Sequence, residues 1–168
     1  MIYQDNDMKF IAVLNRKIAP ARLLNALGHM SAGLPGLRAV EDFKFLDYVD
    51  GDANLHQGIS QYPFIVLQAE NANQVRVTRS RLIEAGLPFT DFTDTMIGVS
   101  AEDQLQKTRA RREADLEYFG ICTFGPTTLL APITKRFSLF RFGPEAVAEV
   151  AATASALEIP NGKVKEAT

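Results

Sequence analysis

The chain has 168 residues, of which 46% are hydrophobic and 23% are charged, values that are typical of one globular domain. Its 18 basic and 20 acidic residues give a net charge of −2, so there is no basic excess of the kind that marks a nucleic-acid-binding surface. A single cysteine excludes an internal disulfide, and we predict that Cys122, inside an apolar run, is a buried and unreactive thiol. No apolar run reaches the ~20 residues of a membrane span and no signal segment opens the chain, so we expect a cytoplasmic protein with no membrane partner.

The first predicted unit is a buried strand followed by an amphipathic helix. Phe10–Leu14 is continuously apolar, as in strands that are covered on both faces, and Pro20 suits the first turn of a helix. At 100° per residue this helix has two faces. The predicted core face carries Leu23, Leu24, Leu27, Met30 and Leu34. The opposite face carries a polar stripe of Arg22, Asn25 and His29.

The middle of the chain predicts a hairpin and a second strand–helix unit. The turn signal Asp50-Gly51 lies within a loosely patterned segment, 37–60, and indicates a small hairpin. A buried strand is predicted at 62–69 and a helix at 71–85, capped by an asparagine and ended by a glycine. We place Val75, Leu82 and Ile83 on the core side of that helix. We place Arg76, Arg79 and Arg81 mostly on its solvated side.

A short strand at 87–92 is predicted next, and it ends in a polar turn at 93–96. The following helix has Ser100 as its cap and contains the densest basic cluster of the chain, Lys107, Arg109, Arg111 and Arg112. Acidic residues flank this cluster, so a solvated helix with pairs such as Arg109–Glu113 is favoured over a phosphate site.

Strands alternating with helices define the fold class and the domain organisation. A buried strand at 118–124, a short helix after Gly125-Pro126 and a strand at 138–142 complete the pattern. It predicts an α/β fold with a largely parallel or mixed central sheet. We divide the chain into a polar lead-in at 1–8, a single α/β domain at 9–142, and a C-terminal helix with a frayed tail at 143–168.

Four segments resemble, in the same order, the family called domain of unknown function 2000. They are KFIAVLNRKIAPARLLNALGHMSAGL, YVDGDANLHQGISQYPFIVLQA, FTDFTDTM and YFGICTFGPTTLLAPITKRFSLFR, the last with the patterns G-I-x-x-x-G-P and I-T-K-x-x-x-L-x-R. The resemblance covers roughly residues 9–141. That family is similar in fold to the type 2 peptidyl-tRNA hydrolases, which implies a three-layer α/β/α sandwich with a mixed central sheet. It implies no established activity.

The likeness to the hydrolases can be followed residue by residue. Their Gln-Cys-x-His helix pattern keeps only its histidine, His29, and their lysine-rich loop keeps only Arg22 as a stand-in. In their Asp-Ala-Gly-Arg-Thr-Gln turn, Asp91 and Thr95 match, whereas Asp94 replaces the arginine. These changes remove positive charge that a tRNA substrate requires, so we expect no nucleic-acid partner.

These positions define one candidate site, because clefts of open α/β sheets form beyond strand ends. We predict His29, Asp91 and Thr95 as catalytic residues, with His29 and Asp91 pairing to activate water and a hydroxyl or amide stabilising an oxyanion. We predict Arg22, Asn25 and Asp94 as ligand-binding residues. No paired histidines, C-x-x-C or H-E-x-x-H are found, so we predict no metal and no cofactor. The alternative is that the stripe is ordinary solvent-exposed surface.

Three functions remain open at this point. The first is a domain that binds an unidentified small molecule, or a degenerate hydrolase-like domain. The second is an active ester hydrolase on tRNA-linked or related substrates, in which the Lys107–Arg112 helix lines the cleft. The third is a non-enzymatic homodimeric interaction module that uses an exposed patch of Phe137, Phe140 and Phe142.

Overall fold

The structure, a computed structural model, describes residues 7–143. The strands of this part of the chain are β1 (Met8–Asn15), β2 (Phe45–Val49), β3 (Leu55–Ser60), β4 (Phe64–Ala69), β5 (Phe89–Thr93), β6 (Tyr118–Pro126) and β7 (Ser138–Leu139). Its α-helices are α1 (Pro20–Gly33), α2 (Ala72–Glu84), α3 (Ala101–Arg109) and α4 (Thr127–Thr134). Short 3-10 turns cover Leu34–Leu37, Val40–Phe43, Asp94–Met96 and Glu113–Asp115.

The central sheet has five strands in the order β5-β6-β1-β4-β7. β1 runs parallel to β4, and the other three neighbouring pairs are antiparallel. The predicted mixed α/β sheet is therefore confirmed. β1 and β6 occupy the interior of the sheet because their apolar runs can be covered on both faces. β2 and β3 form a separate two-stranded sheet.

Helices cover both faces of the central sheet, which gives three layers. On one face, α1 packs Leu23, Ala26 and Met30 into a core cluster with Phe43 and Phe124. On the other face, residues of α2 and α4 form a second cluster. Its members in these helices are Val75, Leu82, Leu130 and Ile133.

Local signals set the helix ends. The side-chain oxygen of Asn71 accepts a hydrogen bond from the Gln74 N–H at 3.1 Å, and Ser100 accepts one from the Asp103 N–H at 3.2 Å. Both side chains satisfy a backbone donor that the first helical turn leaves free, as predicted. Gly86 follows α2 with a φ of +64°, a left-handed conformation that favours glycine.

The periodicity was a poorer guide at the flanks of the helices. Leu24 is 61% exposed and Ile83 is 53% exposed, although we predicted both as core residues. Each is rotated by about 100° around the helix axis from a fully buried neighbour, Leu23 or Leu82. This rotation turns the side chain away from the sheet and towards solvent. Conversely, Arg76 and Arg79 are half-buried ion-pair partners, so the prediction that α2 keeps them solvated was wrong.

The remaining predictions concern the thiol and the chain ends. Cys122 is buried as predicted, and its burial raises the pKa of the thiol to about 12. The last strand is only Ser138–Leu139, shorter than the predicted 138–142. The predicted C-terminal helix and most of the polar lead-in lie outside the described residues. None of the helices in residues 7–143 has the length and apolar character needed to cross a bilayer.

Truncating two neighbouring residues of α2 tests the packing of this layer. We expect Leu82→Ala to lower the free energy of unfolding by about 2–5 kcal/mol, because a fully buried leucine leaves a cavity. Ile83→Ala is the matched control, and we expect it to cost less than about 1 kcal/mol because that side chain is half exposed. Urea unfolding followed by circular dichroism measures both. Equal losses would contradict the observed placement of α2.

Candidate functional site

The C-terminal end of the polar stripe of α1, at His29, lies beside the edge strand β5. Arg22, Asn25 and His29 are all exposed, as expected for a stripe that faces away from the core. At its C-terminal end, α1 approaches β5 closely, since a Cβ added to Gly33 would lie 3.3 Å from the Thr90 methyl carbon. The Thr90 hydroxyl also donates to the Met30 carbonyl at 2.8 Å. These contacts fix α1 over β5 and so fix the position of His29 at the edge of the sheet.

His29 lines a cavity of about 290 Å³ between α1, β5 and α3. The other lining residues are Met30, Thr90, Asp91, Phe92, Met96 and Gln104. The imidazole ring lies 5.7 Å from the Phe92 ring, centroid to centroid. The cavity thus combines an apolar wall with an imidazole and a carboxamide, each of which can both donate and accept hydrogen bonds.

The carboxylate of Asp91 points to the opposite face of the sheet. Successive side chains of a strand alternate between faces. Thr90 and Phe92 contact the α1 side, whereas Phe89 and Asp91 contact the α2 side. There the Arg79 Nε donates to the Asp91 carboxylate at 2.8 Å. The structure therefore pairs the Asp91 carboxylate with Arg79 rather than with His29, although Asp91 is also one of the residues that line the His29 cavity.

Thr95 is buried in a chain of hydroxyl groups. Its Oγ1 lies 2.9 Å from the Thr93 Oγ1 and 2.8 Å from the Thr108 Oγ1. The Thr108 hydroxyl donates its one proton to the Gln104 carbonyl at 2.8 Å. Thr95 must therefore donate to Thr108, which leaves it no proton for an oxyanion. This chain instead ties the end of β5 to α3, the helix that carries Gln104.

Asp94 lies in a different cavity, of about 370 Å³, beside Thr95, Lys107 and Arg111. Its carboxylate accepts hydrogen bonds from Arg111 at 2.9 Å and from the Glu117 N–H at 3.0 Å. Its side chain therefore links the turn after β5 to the start of β6, away from the polar stripe of α1.

The predicted basic cluster is largely paired with acidic residues, but α3 ends at Arg109, so Arg111 and Arg112 lie in the loop after the helix. Lys107 binds Asp103 at 2.6 Å, and Arg112 binds Asp115 at 3.1 Å. Together with the Arg111–Asp94 pair, these contacts agree with the predicted ion pairing, although the predicted helix was too long and only Lys107–Asp103 lies within α3. The predicted partner of Arg109, Glu113, instead binds Arg76 at 3.1 Å.

A second polar network lies on the α2 side of the sheet. Glu113 accepts a hydrogen bond from the Tyr118 hydroxyl at 2.9 Å, next to its ion pair with Arg76. Arg76 also donates to the carbonyls of Ala114 and Leu116. Burial, and then the bond to Glu113, raise the pKa of Tyr118 to about 12. The network anchors the loop before β6 to α2.

The aromatic patch that we predicted near the last strand is mostly covered. Phe137 and Phe140 are half-buried against the two core clusters, and Phe142 is exposed. Phe140 and Phe142 border a third cavity, of about 340 Å³, whose lining is apolar. The residues that line this cavity are apolar, so they provide few groups that could form hydrogen bonds with a ligand.

Sequence reasoning placed His29 correctly on an exposed face, but it missed Gln104, Phe92 and Arg79 as determinants of the site. Gln104 sits one turn into α3, and no motif marks it. Within residues 7–143, no group of three or more His, Cys, Asp or Glu side chains is placed to hold a metal ion.

These features define an α/β protein with a mixed five-stranded sheet and a small polar cavity at one edge. Residues 8–141 match the model of a protein family of unknown function, DUF2000, and the chain belongs to that family, as its four motif segments predicted. The chain is also similar to Atu0240, a protein of unknown function from Agrobacterium tumefaciens strain C58, with a TM-score of 0.70 and 17% identity. That match covers 81% of this chain and 99% of the other, and it supports the fold alone. No curated protein matches.

Titration of tyrosine tests the network at Glu113. We expect one of the four tyrosines to ionise only near pH 12, and we expect Glu113→Gln to lower that midpoint. The raised pKa of Tyr118 stabilises the fold fully below the unfolded-state value of about 10, and this contribution is lost as the pH rises towards about 12. Ultraviolet absorbance of tyrosinate measures the titration. Ionisation of Tyr118 at the ordinary value of about 10 in the folded protein would contradict this.

Proposed function

We propose that the protein binds a small molecule in the His29 cavity, as a degenerate hydrolase-like domain without a working His29–Asp91 pair. One observation carries this proposal. His29 shares a cavity with Gln104 and the Phe92 ring, while the carboxylate of Asp91 is bound to Arg79 on the other face of the sheet. Cavities with an apolar wall and a few convergent polar groups are the usual form of small-ligand sites.

The dimensions and chemistry of the cavity indicate a class of ligand. At about 290 Å³ it lies at the small end of ligand pockets, large enough for one substituted ring. A planar ring would contact Phe92, and a carbonyl or amide on it would bond to His29 and Gln104. We therefore propose small aromatic amides and carboxylic acids as ligands.

The other predicted residues have outer or supporting roles in this proposal. Asn25 and Arg22 lie about one and two helical turns before His29 on the same exposed stripe, so they would meet a substituent that extends out of the cavity. A negatively charged substituent would bind Arg22. Asp94 and Thr95 would act indirectly, since their side chains hold β5, α3 and β6 together.

The hydrolase alternative has less support. A general base requires a partner that orients it, and the nearest predicted partner is bound to Arg79. The basic residues of α3 and of the loop after it are also largely paired with acidic neighbours, which leaves less positive charge for a tRNA backbone. An activity like that of the type 2 peptidyl-tRNA hydrolases would require hydrolysis of a tRNA-linked ester. The binding of Asp91 to Arg79 does not favour such catalysis at His29.

Histidine NMR spectra of the protein test the binding proposal. The chain has two histidines, so each ring gives a signal that one substitution, at His29 or His56, assigns. We expect benzamide and benzoate to shift the His29 ring signals saturably, with a dissociation constant of about 1 mM for such small probes. The His56 signals, from a residue in β3, should not move.

Variants separate the cavity from other surfaces. We expect His29→Ala to abolish the saturable shifts of neighbouring amides, and Gln104→Ala to weaken binding about fivefold through the loss of one hydrogen bond. His56→Ala is the matched control and should bind like the parent. Saturating probe that leaves the His29 ring unshifted would refute the proposal. Ester hydrolysis that both His29→Ala and Asp91→Asn abolish would restore the hydrolase alternative.

A further inference from the structure

An apolar groove runs along one face of the central sheet, where none of the helices of residues 7–143 covers it. α2 and α4 pack together on the opposite face, whereas on this face α1 packs mainly against β5 and β6. The groove lies over β1 and β4 and has a volume of about 340 Å³. One wall is α1, with Leu24 and Leu27, and the other is the chain after β4 and β7, with Leu139 and Phe142.

The groove exposes large apolar side chains to solvent. Leu24 is 61% exposed, Leu139 is 60% exposed and Phe142 is 52% exposed. Among the residues of 7–143 that line the groove, none carries a charge. Exposed apolar surface that is concentrated in one concave patch is typical of a place where another apolar element packs. The groove therefore suits an apolar helix better than a polar ligand.

The chain itself leads into this groove. Phe142 lines it, Gly143 is the last described residue, and the sequence continues through residues 144–168. The Phe140 N–H donates to the Val66 carbonyl at 2.9 Å, and the Arg141 N–H donates to the Gln68 side chain at 3.1 Å. These bonds fix the point at which the following segment starts. A segment tethered so closely has an effective concentration of about millimolar, so weak contacts suffice to hold it.

The sequence of residues 144–157 has the pattern of a helix with one apolar face. Pro144 suits the first turn of a helix, and Glu145 suits its N-terminal end. At 100° per residue, an arc of about 120° contains only apolar side chains. These are Val147, Val150, Ala151, Ala154 and Leu157. Glu145 and Glu149 fall on the opposite side, so the apolar arc can be buried without burying a charge.

The small size of these side chains also suits the groove. The distance between packed helices depends on the side chains at their contact, and alanine and valine allow a close approach. We propose that residues 144–157 form a helix that docks this apolar arc into the groove of the same chain, as a second helix on the α1 face of the sheet. The docked helix buries Leu24 and Phe142. It is independent of the ligand site at His29.

The reactivity of a thiol placed in the groove of the full chain tests the docking. The natural thiol, Cys122, is buried and has a pKa of about 12, so it reacts slowly with an aromatic disulfide reagent. Leu24 is more exposed than Ile83, at 61% against 53%, so without docking Leu24→Cys should react at least as fast as Ile83→Cys. We expect it to react on the order of tenfold more slowly, because the docked helix covers it. Equal rates would overturn the proposal.

Charges added to the segment should release it from the groove. In the Leu24→Cys background, Val150→Lys/Ala154→Lys places two lysines on the apolar arc, and we expect the thiol to react as fast as in Ile83→Cys. Ala148→Lys/Ala152→Lys is the matched control, since it adds the same charge at the same spacing outside that arc. It should leave the thiol protected. An unchanged rate with the first pair, or equal release by both pairs, would contradict docking through this arc.

A thiol in the segment gives a second readout that leaves the groove intact. We expect Val150→Cys to be protected and Ala152→Cys to react freely. Leu24→Lys should expose the Val150→Cys thiol, whereas Ile83→Lys should not, and both replace exposed side chains. Protection should be the same at roughly 1 and 100 µM protein. Protection that is lost on dilution would show that a second copy fills the groove, and this result, like free reaction of Val150→Cys, would overturn docking within one chain.

Discussion

The alternation of side chains along β5 is the constraint on which the site depends. Thr90 and Phe92 face α1, where Thr90 holds the helix and Phe92 forms a wall beside His29. Asp91 faces α2 and is bound to Arg79. A strand cannot present neighbouring residues to the same face without a bulge or a twist. The groups that a hydrolytic pair would need are consequently divided between two layers.

The hydroxyl chain from Thr93 to Thr108 determines what remains on the α1 side. The Thr95 hydroxyl donates its proton to Thr108, which ties α3 to the end of β5 and brings Gln104 into the same cavity as His29. The result is a cavity whose polar groups include the His29 ring and the Gln104 carboxamide, each of which can both donate and accept hydrogen bonds. Binding needs only such complementarity, whereas general base catalysis also needs an oriented and correctly protonated base.

Much of the fold could be predicted because its signals are local. The buried strands, the caps at Asn71 and Ser100, and the family match all follow from residue types within short windows. The direction of Asp91 could not be predicted in this way. Phe89 and Phe92 flank it on opposite faces, so the strand is apolar on both sides and its pattern does not show which layer receives Asp91. The predicted burial of Leu24 and Ile83 was wrong for a related reason. Helical periodicity predicts which residues share a face, but it does not predict how wide the buried part of that face is.

The exposure of the hairpin formed by β2 and β3 could not be predicted from the sequence pattern either. Its strands mix apolar residues with Asp47, His56 and Gln57, and their exposure is seen only in the structure of the described residues.

A double-mutant cycle in urea unfolding tests the central claim most directly. The single and double variants of Arg79→Met and Asp91→Asn should show a coupling energy of about 0.5–3 kcal/mol, the range for contacting residues, while His29→Ala and Asp91→Asn should be additive within about 0.5 kcal/mol. The opposite result, with coupling between His29 and Asp91 and none between Arg79 and Asp91, would contradict the division of the site between the two faces of the sheet.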